Sequence, residues 1–137
     1  MKKATVVKSS LGVMLFTLGV VTGLVAQTLT DSPQRKEQKR SDLSGAPGME
    51  VIESIVEYKT GETIDLHSHH GIEAVYVIQG TSIQPAGQAP VTMPSGLTQM
   101  NLRDVKHGGA KVVGETPLKL FTVHIVDKDK PLYEFVK

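Results

Sequence analysis

ETIDLHSHHGIEAVYVIQG, residues 62–80, holds three of the chain's five histidines within four positions and runs straight into a β-branched, aromatic stretch. Successive side chains of a strand point to opposite faces, so His67 and His69 share one face and His70 takes the other. Two imidazoles one strand repeat apart, about 7 Å, can chelate a single ion. An antiparallel neighbour beginning after the His70–Gly71 corner returns Glu73 over the same face. Two imidazoles and a carboxylate facing inward make a ligand set for a divalent cation. The HSHH run taken alone reads equally well as an exposed polar turn.

Working outward, VIESIVEY (51–58), ETIDLHSH (62–69), IEAVYVIQ (72–79), KLFTVHIV (119–126) and YEFV (133–136) have the composition and length of strands, punctuated by TG, HG, QG and PSG turns. No 3.6-residue period is present after residue 26. Short strands with a turn every 8 to 12 residues point to an all-β sandwich, jelly roll or barrel. A chain of 137 residues is one domain. The absence of cysteine excludes disulfide frameworks, thiolate nucleophiles and Cys-ligated metals, so any metal must use His, Asp or Glu. A net charge of +1 leaves no electrostatic footprint for nucleic acid.

Residues 1–26 carry Lys2, Lys3 and Lys8, no acid, and an apolar run from Leu11 to Ala26. This run is short and softened by glycine and threonine, which predicts a cleaved signal peptide and export to the periplasm or medium; the alternative is a membrane anchor over 11–26. Removing its three lysines from the net charge of +1 leaves −2 for the rest. Residues 27–47, with Pro33 and the QRKEQKR run, show no apolar periodicity and read as a polar linker or N-terminal arm. The domain proper is expected over 48–137.

Gly61, His67, His69, Glu73 and Gly80 fall in the register G-x5-H-x-H-x3-E-x6-G, which matches the first signature of the cupin superfamily at every fixed position. From DLSGAPGMEV (42–51) to TPLKLFTVHIVDKDKPL (116–132) the chain resembles small bacterial single-domain cupins. The resemblance implies a jelly-roll β-barrel in which Gly61 and Gly80 turn hairpins. It also implies a second signature, G-x5-P-x-G-x2-H-x3-N, that supplies a fourth ligand. Counted from Gly96, Leu102 stands for Pro, Asp104 for Gly, His107 for the ligand and Lys111 for Asn. Asp tolerates the left-handed conformation better than most residues, so Asp104 can serve for glycine. A register counted from Gly87 would leave Gln99 at the ligand position instead.

The resemblance thus implies a single divalent ion, Mn, Fe or Zn, held by His67, His69, Glu73 and His107, with two positions left for a small oxygen-bearing ligand. Glu73 is the candidate proton acceptor. Thr63, Asp65, Gln99 and His124 are candidates to support the ligands, although a lone His in an apolar strand such as TVHIV is commonly a packed core residue. His70 reads as a rim residue and Tyr76 as packing. The function expected is that of an exported metal-dependent enzyme acting on a small organic molecule; a non-catalytic module binding a sugar, a carboxylate or the metal is the alternative. Ile64, Leu66, Ile72, Ala74, Tyr76 and Ile78 form a second apolar face that needs a cover, supplied by the 48–58 strand or by a second subunit, and a homodimer is expected.

Overall fold

The computed structural model describes residues 31–137, so the expected signal peptide and the first residues of the expected linker lie outside the described residues. Eleven strands and no helix make up the described chain: β1 (Arg35–Asp42), β2 (Met49–Tyr58), β3 (Thr63–Ile64), β4 (His67–Ser68), β5 (Gly71–Gln79), β6 (Thr81–Pro85), β7 (Val91–Met93), β8 (Thr98–Asn101), β9 (Ala110–Val112), β10 (Leu118–Asp127) and β11 (Glu134–Phe135). They form a five-stranded sheet in the order β1-β2-β10-β5-β8, a four-stranded sheet β3-β9-β6-β7 and a two-stranded ribbon β11-β4. Every pairing is antiparallel.

The long strands show why this sequence folds so. Along β2 and β10 every second residue is buried, and along β5 buried and exposed residues alternate. The inward set begins aliphatic, with Val56, Val75, Val77, Val112, Leu118 and Leu120 packing around Tyr58 as one core cluster. It then turns polar: Ser54, Thr122, His124 and Glu73 are all buried as well. The core is therefore apolar toward one end of the barrel and polar toward the other.

Two expectations need correction. The polar linker over 27–47 contains an edge strand: β1 pairs with β2 from Arg35↔Val56 to Asp42↔Glu50, with a bulge between Glu37 and Lys39. Almost all of it is exposed, so no apolar alternation marked it; the backbone ladder holds it, aided by Arg40, which pairs with Glu37 at 2.8 Å and Glu50 at 2.6 Å. A charged edge of this kind also resists pairing with other chains. The 48–58 strand does not cover the second apolar face. As β2 it lies beside β10 within the same sheet, leaving Tyr76 at 48% and Met100 at 62% exposure. Ile64 was expected on that face but packs against the core. The strict two-residue period fails between Ile64 and His67, where β3 ends and β4 begins.

Candidate metal centre

Three separate segments bring four side chains to one point. His67 opens β4, and His69 follows that strand. Glu73 is the third residue of β5, and His107 lies between β8 and β9. A reciprocal backbone pair, His67 N to His107 O at 3.0 Å and His107 N to His67 O at 2.8 Å, ties the two loops together. One potential ligand atom from each of the four residues lies within 4.8 Å of all the others. His67, His69 and Glu73 are buried, and His107 is half-buried.

The hydrogen bonds fix which nitrogen each ring offers. His67 Nδ1 faces the carbonyl of Asp65 at 2.7 Å, His107 Nδ1 faces that of Val105 at 3.0 Å, and His69 Nδ1 faces that of Leu132. A carbonyl oxygen only accepts, so each Nδ1 carries the proton and each Nε2 presents a bare lone pair. His107 Nε2 stands 3.2 Å and His69 Nε2 3.5 Å from Glu73 Oε2, yet neither nitrogen has a hydrogen-bond partner. Lone pairs confronting a carboxylate in a buried site need a cation or a proton between them. The donor set, its separation and its carbonyl-anchored rings fit a divalent ion.

The electrostatics agree. Burial alone would raise the Glu73 carboxyl, but the imidazoles of His107 and His69 outweigh it and hold it well below the usual range. Burial lowers His67 to about 4, so this ring is neutral at pH 7 and able to ligate. His107 moves the other way: burial lowers it, but its contacts with Glu73 and with the Val105 carbonyl together raise it more. In the metal-free protein His107 is thus the ring poised to hold the proton that an ion would displace.

The remaining expected residues take varied places. Asp65 supports His67 with its backbone carbonyl, while its side chain and that of Thr63 belong to exposed residues. Gln99 donates to Asn101 Oδ1 at 2.6 Å, and Asn101 in turn donates to Glu73 Oε2 at 2.7 Å, so Gln99 reaches the carboxylate only through Asn101. Asn101 was not picked out in the sequence; its position on β8 directly opposite Glu73 creates its role. His124 faces inward and is completely buried, with Nε2 3.4 Å from Glu73 Oε1 and neither nitrogen hydrogen-bonded. Burial lowers it to about 3. Tyr133 was also missed: its ring packs 4.8 Å from both His67 and His69. His70 bonds Asp104 and Glu134 at the rim, and Asp104 adopts φ +60°, the left-handed turn expected of a residue standing for glycine. Tyr76 lies on the outer face.

A cavity of about 200 Å³ opens from this cluster into the barrel and is lined by His67, Glu73, Asn101, His107 and the aliphatic core. Its polar end holds three of the four candidate ligands, His67, Glu73 and His107, and its other end is a largely aliphatic wall that also includes Tyr58 and Met93. Such a pocket can present an oxygen function to an ion while shielding it from water.

No protein-family model and no curated protein sequence matches the chain. Solved structures do. A DMSP lyase structure is 11% identical with a TM-score of 0.51, the match covering 64% of this chain and 44% of that one, so the chain corresponds to less than half of the lyase's length. A protein from Bacillus halodurans is 13% identical with a TM-score of 0.50, over 84% of this chain and 86% of its own. A cupin domain from Bordetella pertussis is 13% identical, with a TM-score of 0.47, over 69% of this chain and 96% of its own. Likenesses at this identity speak to fold and leave chemistry open. With the Gly61-to-Gly80 stretch folded into an antiparallel barrel and its His and Glu residues gathered at one end, the chain shares the all-β barrel fold of these solved structures.

Proposed function

We propose that this chain is an exported metal-dependent enzyme that holds one Mn, Fe or Zn ion through His67, His69, Glu73 and His107 and acts on a small oxygen-bearing organic molecule. The observation that carries this reading is the set of three imidazoles anchored at Nδ1 by backbone carbonyls, with Nε2 atoms turned toward one buried carboxylate. A bound ion supplies Lewis-acid chemistry or, as Fe(II), redox chemistry at an oxygen-bearing ligand. The chain's own residues do the rest. Asp65, Val105 and Leu132 hold the ring tautomers, Asn101 holds the Glu73 carboxylate, and the aliphatic wall keeps water from the far end of the cavity. Glu73 is the one carboxylate among the described lining residues, which makes its free oxygen the candidate proton acceptor.

Elemental analysis of the natively expressed protein tests the centre: one equivalent of metal is expected in the wild type and none in a His67→Ala variant that keeps its strand signal by circular dichroism. Full retention of metal in the variant refutes the assignment. Saturable binding of small carboxylates with no product under any metal would reduce the enzyme to a binding module. Export is proposed from the basic start and apolar run of residues 1–26, and intact mass after expression in a secreting host tests it. A homodimer through the outer face of Ile72, Tyr76, Ile78 and Met100 is proposed because that face is uncovered. A monomer by light scattering at micromolar concentration would count against it.

A further inference from the structure

The registers of the long strands stack the barrel interior in layers. Across β5, β10 and β2, Glu73 stands beside His124 and Ile52; one layer on come Val75, Thr122 and Ser54; the next is Val77, Leu120 and Val56. Layers two residues apart along an antiparallel strand are about 7 Å apart, so within about 14 Å the interior passes from the ligand cluster to an aliphatic layer, with Leu118 and Tyr58 next beyond it. The cavity follows this gradient: Glu73, His67 and His107 line one end, and Val56, Ile83, Leu118 and Leu120 the other. At about 200 Å³ it lies below the range of about 300–1,000 Å³ usual for drug-sized ligands, so its guest is small.

Its charges and hydrogen-bonding groups narrow the guest further. No Lys or Arg is among the described lining residues, and Glu73 is their sole acid. A divalent ion with Glu73 carries one net positive charge, which a monoanion cancels. A dianion would leave a buried negative charge with no partner. A polyol would set hydroxyls against Val56, Leu118 and Leu120, which offer none in return. Between the two poles the Thr122 hydroxyl is fully buried and has no hydrogen-bond partner, while its residue lines the cavity. It is placed to bond an oxygen of the guest's head.

Resting on the metal-centre reading above, we infer that the cavity takes a short aliphatic monoanion with two chelating oxygens, of the 2-hydroxycarboxylate type. Its carboxylate head lies between the four-ligand cluster and Thr122, and its tail lies against Val56 and Leu120. The cavity selects against dianions and polyols of similar size.

The test is calorimetric titration of the zinc-loaded full chain with 2-hydroxyhexanoate, malate and glucose, after its zinc content has been measured. Binding of 2-hydroxyhexanoate at least about tenfold tighter than malate, with glucose weaker still, supports the inference. Thr122→Val, which removes the hydroxyl and keeps the shape, should weaken 2-hydroxyhexanoate about fivefold at unchanged zinc content. A protein that holds zinc but binds malate or glucose as tightly overturns the inference and leaves the metal centre standing. Unchanged affinity in Thr122→Val overturns the placement of the head. A protein that takes up none of zinc, iron and manganese overturns both readings.

Discussion

Replacing Asn101 by Leu removes the one side-chain amide that grips the candidate carboxylate. Asn101 Nδ2 donates to Glu73 Oε2 at 2.7 Å, and the two residues are 9% and 6% exposed, so water does not compete for the bond. The acceptor is ionised, because the imidazoles around Glu73 hold its pKa down. A hydrogen bond to a buried charge is worth about 1.5–3 kcal/mol. At about 1.4 kcal/mol per factor of ten, that is roughly 10–100-fold on an equilibrium that needs the carboxylate in place, the range typical of groups that orient a metal ligand. Leucine keeps the branching of asparagine at Cγ but is larger, so the test requires that the variant be shown to fold. Gln99 loses its acceptor but is exposed and can turn to water. The expected outcome for Asn101→Leu is a zinc dissociation constant raised about 10–100-fold, measured by competition with a chromogenic chelator, with a cooperative urea transition showing that the barrel is intact. Gln99→Ala, which leaves the Asn101–Glu73 bond in place, should lose far less. A folded Asn101→Leu protein that binds zinc as tightly as wild type would refute the idea that Glu73 is oriented from β8.

Acid should destabilise the metal-free protein as pH falls from about 6.5 toward 4. Across this window the unfolded imidazoles take up protons, while His67, lowered to about 4 by burial, and His124, lowered to about 3, do not. At about 1.4 kcal/mol per pKa unit His67 alone accounts for roughly 3 kcal/mol of that loss, whereas His107, raised by Glu73, works in the opposite sense. Urea midpoints measured in chelator across the window should fall, and a flat profile would mean that these rings are not held neutral. Gly71→Ala should lower the melting temperature by well over 10 °C, because the added Cβ would sit 2.0 Å from the Ile125 carbonyl oxygen and 2.6 Å from the Val126 Cα, both backbone atoms of β10 that cannot step aside cheaply; a drop of only a few degrees would show the strand pair to be looser than its register implies. Asp104→Ala should cost about 1 kcal/mol by chemical denaturation and Asp104→Gly should recover most of it, since φ at this residue is +60°. Equal stability of the two variants would remove the conformational argument.

The long strands were legible because burial imposes a period of two on them. In β2, β5 and β10 the inward residues are large and apolar often enough to announce the alternation. Strands β6 to β9 are three to five residues long and expose much of their surface, as in TQMN, where only the last residue is buried. Their pairing is set by neighbours far away in sequence, which local pattern does not carry. The same holds for β1, most of whose side chains face water and which is tied to the barrel by its backbone ladder with β2 and by the contacts of Arg35 with Ser54 at 2.8 Å and of Arg40 with Glu50 at 2.6 Å.

The candidate site divides along a similar line. His67, His69 and Glu73 lie within seven residues, and strand geometry alone aims them at one point. His107 needed the second signature, whose departures at Leu102, Asp104 and Lys111 left the loop path open until φ +60° at Asp104 and the reciprocal bridge to His67 fixed it. What no sequence pattern carries is the support behind the rings. Three carbonyl oxygens, from Asp65, Val105 and Leu132, decide which nitrogen of each imidazole points inward, and any residue type with the same backbone path would supply them. Thr63 and the Asp65 side chain were reasonable candidates for that support because side chains are what a sequence displays. Yet the barrel already brings backbone acceptors within reach of each ring, and a backbone carbonyl loses no rotamer entropy when it accepts a hydrogen bond. The alternation that makes the fold readable therefore also hides half of the site: it spends the inward side chains on ligands and lining, and leaves the orientation of those ligands to the main chain.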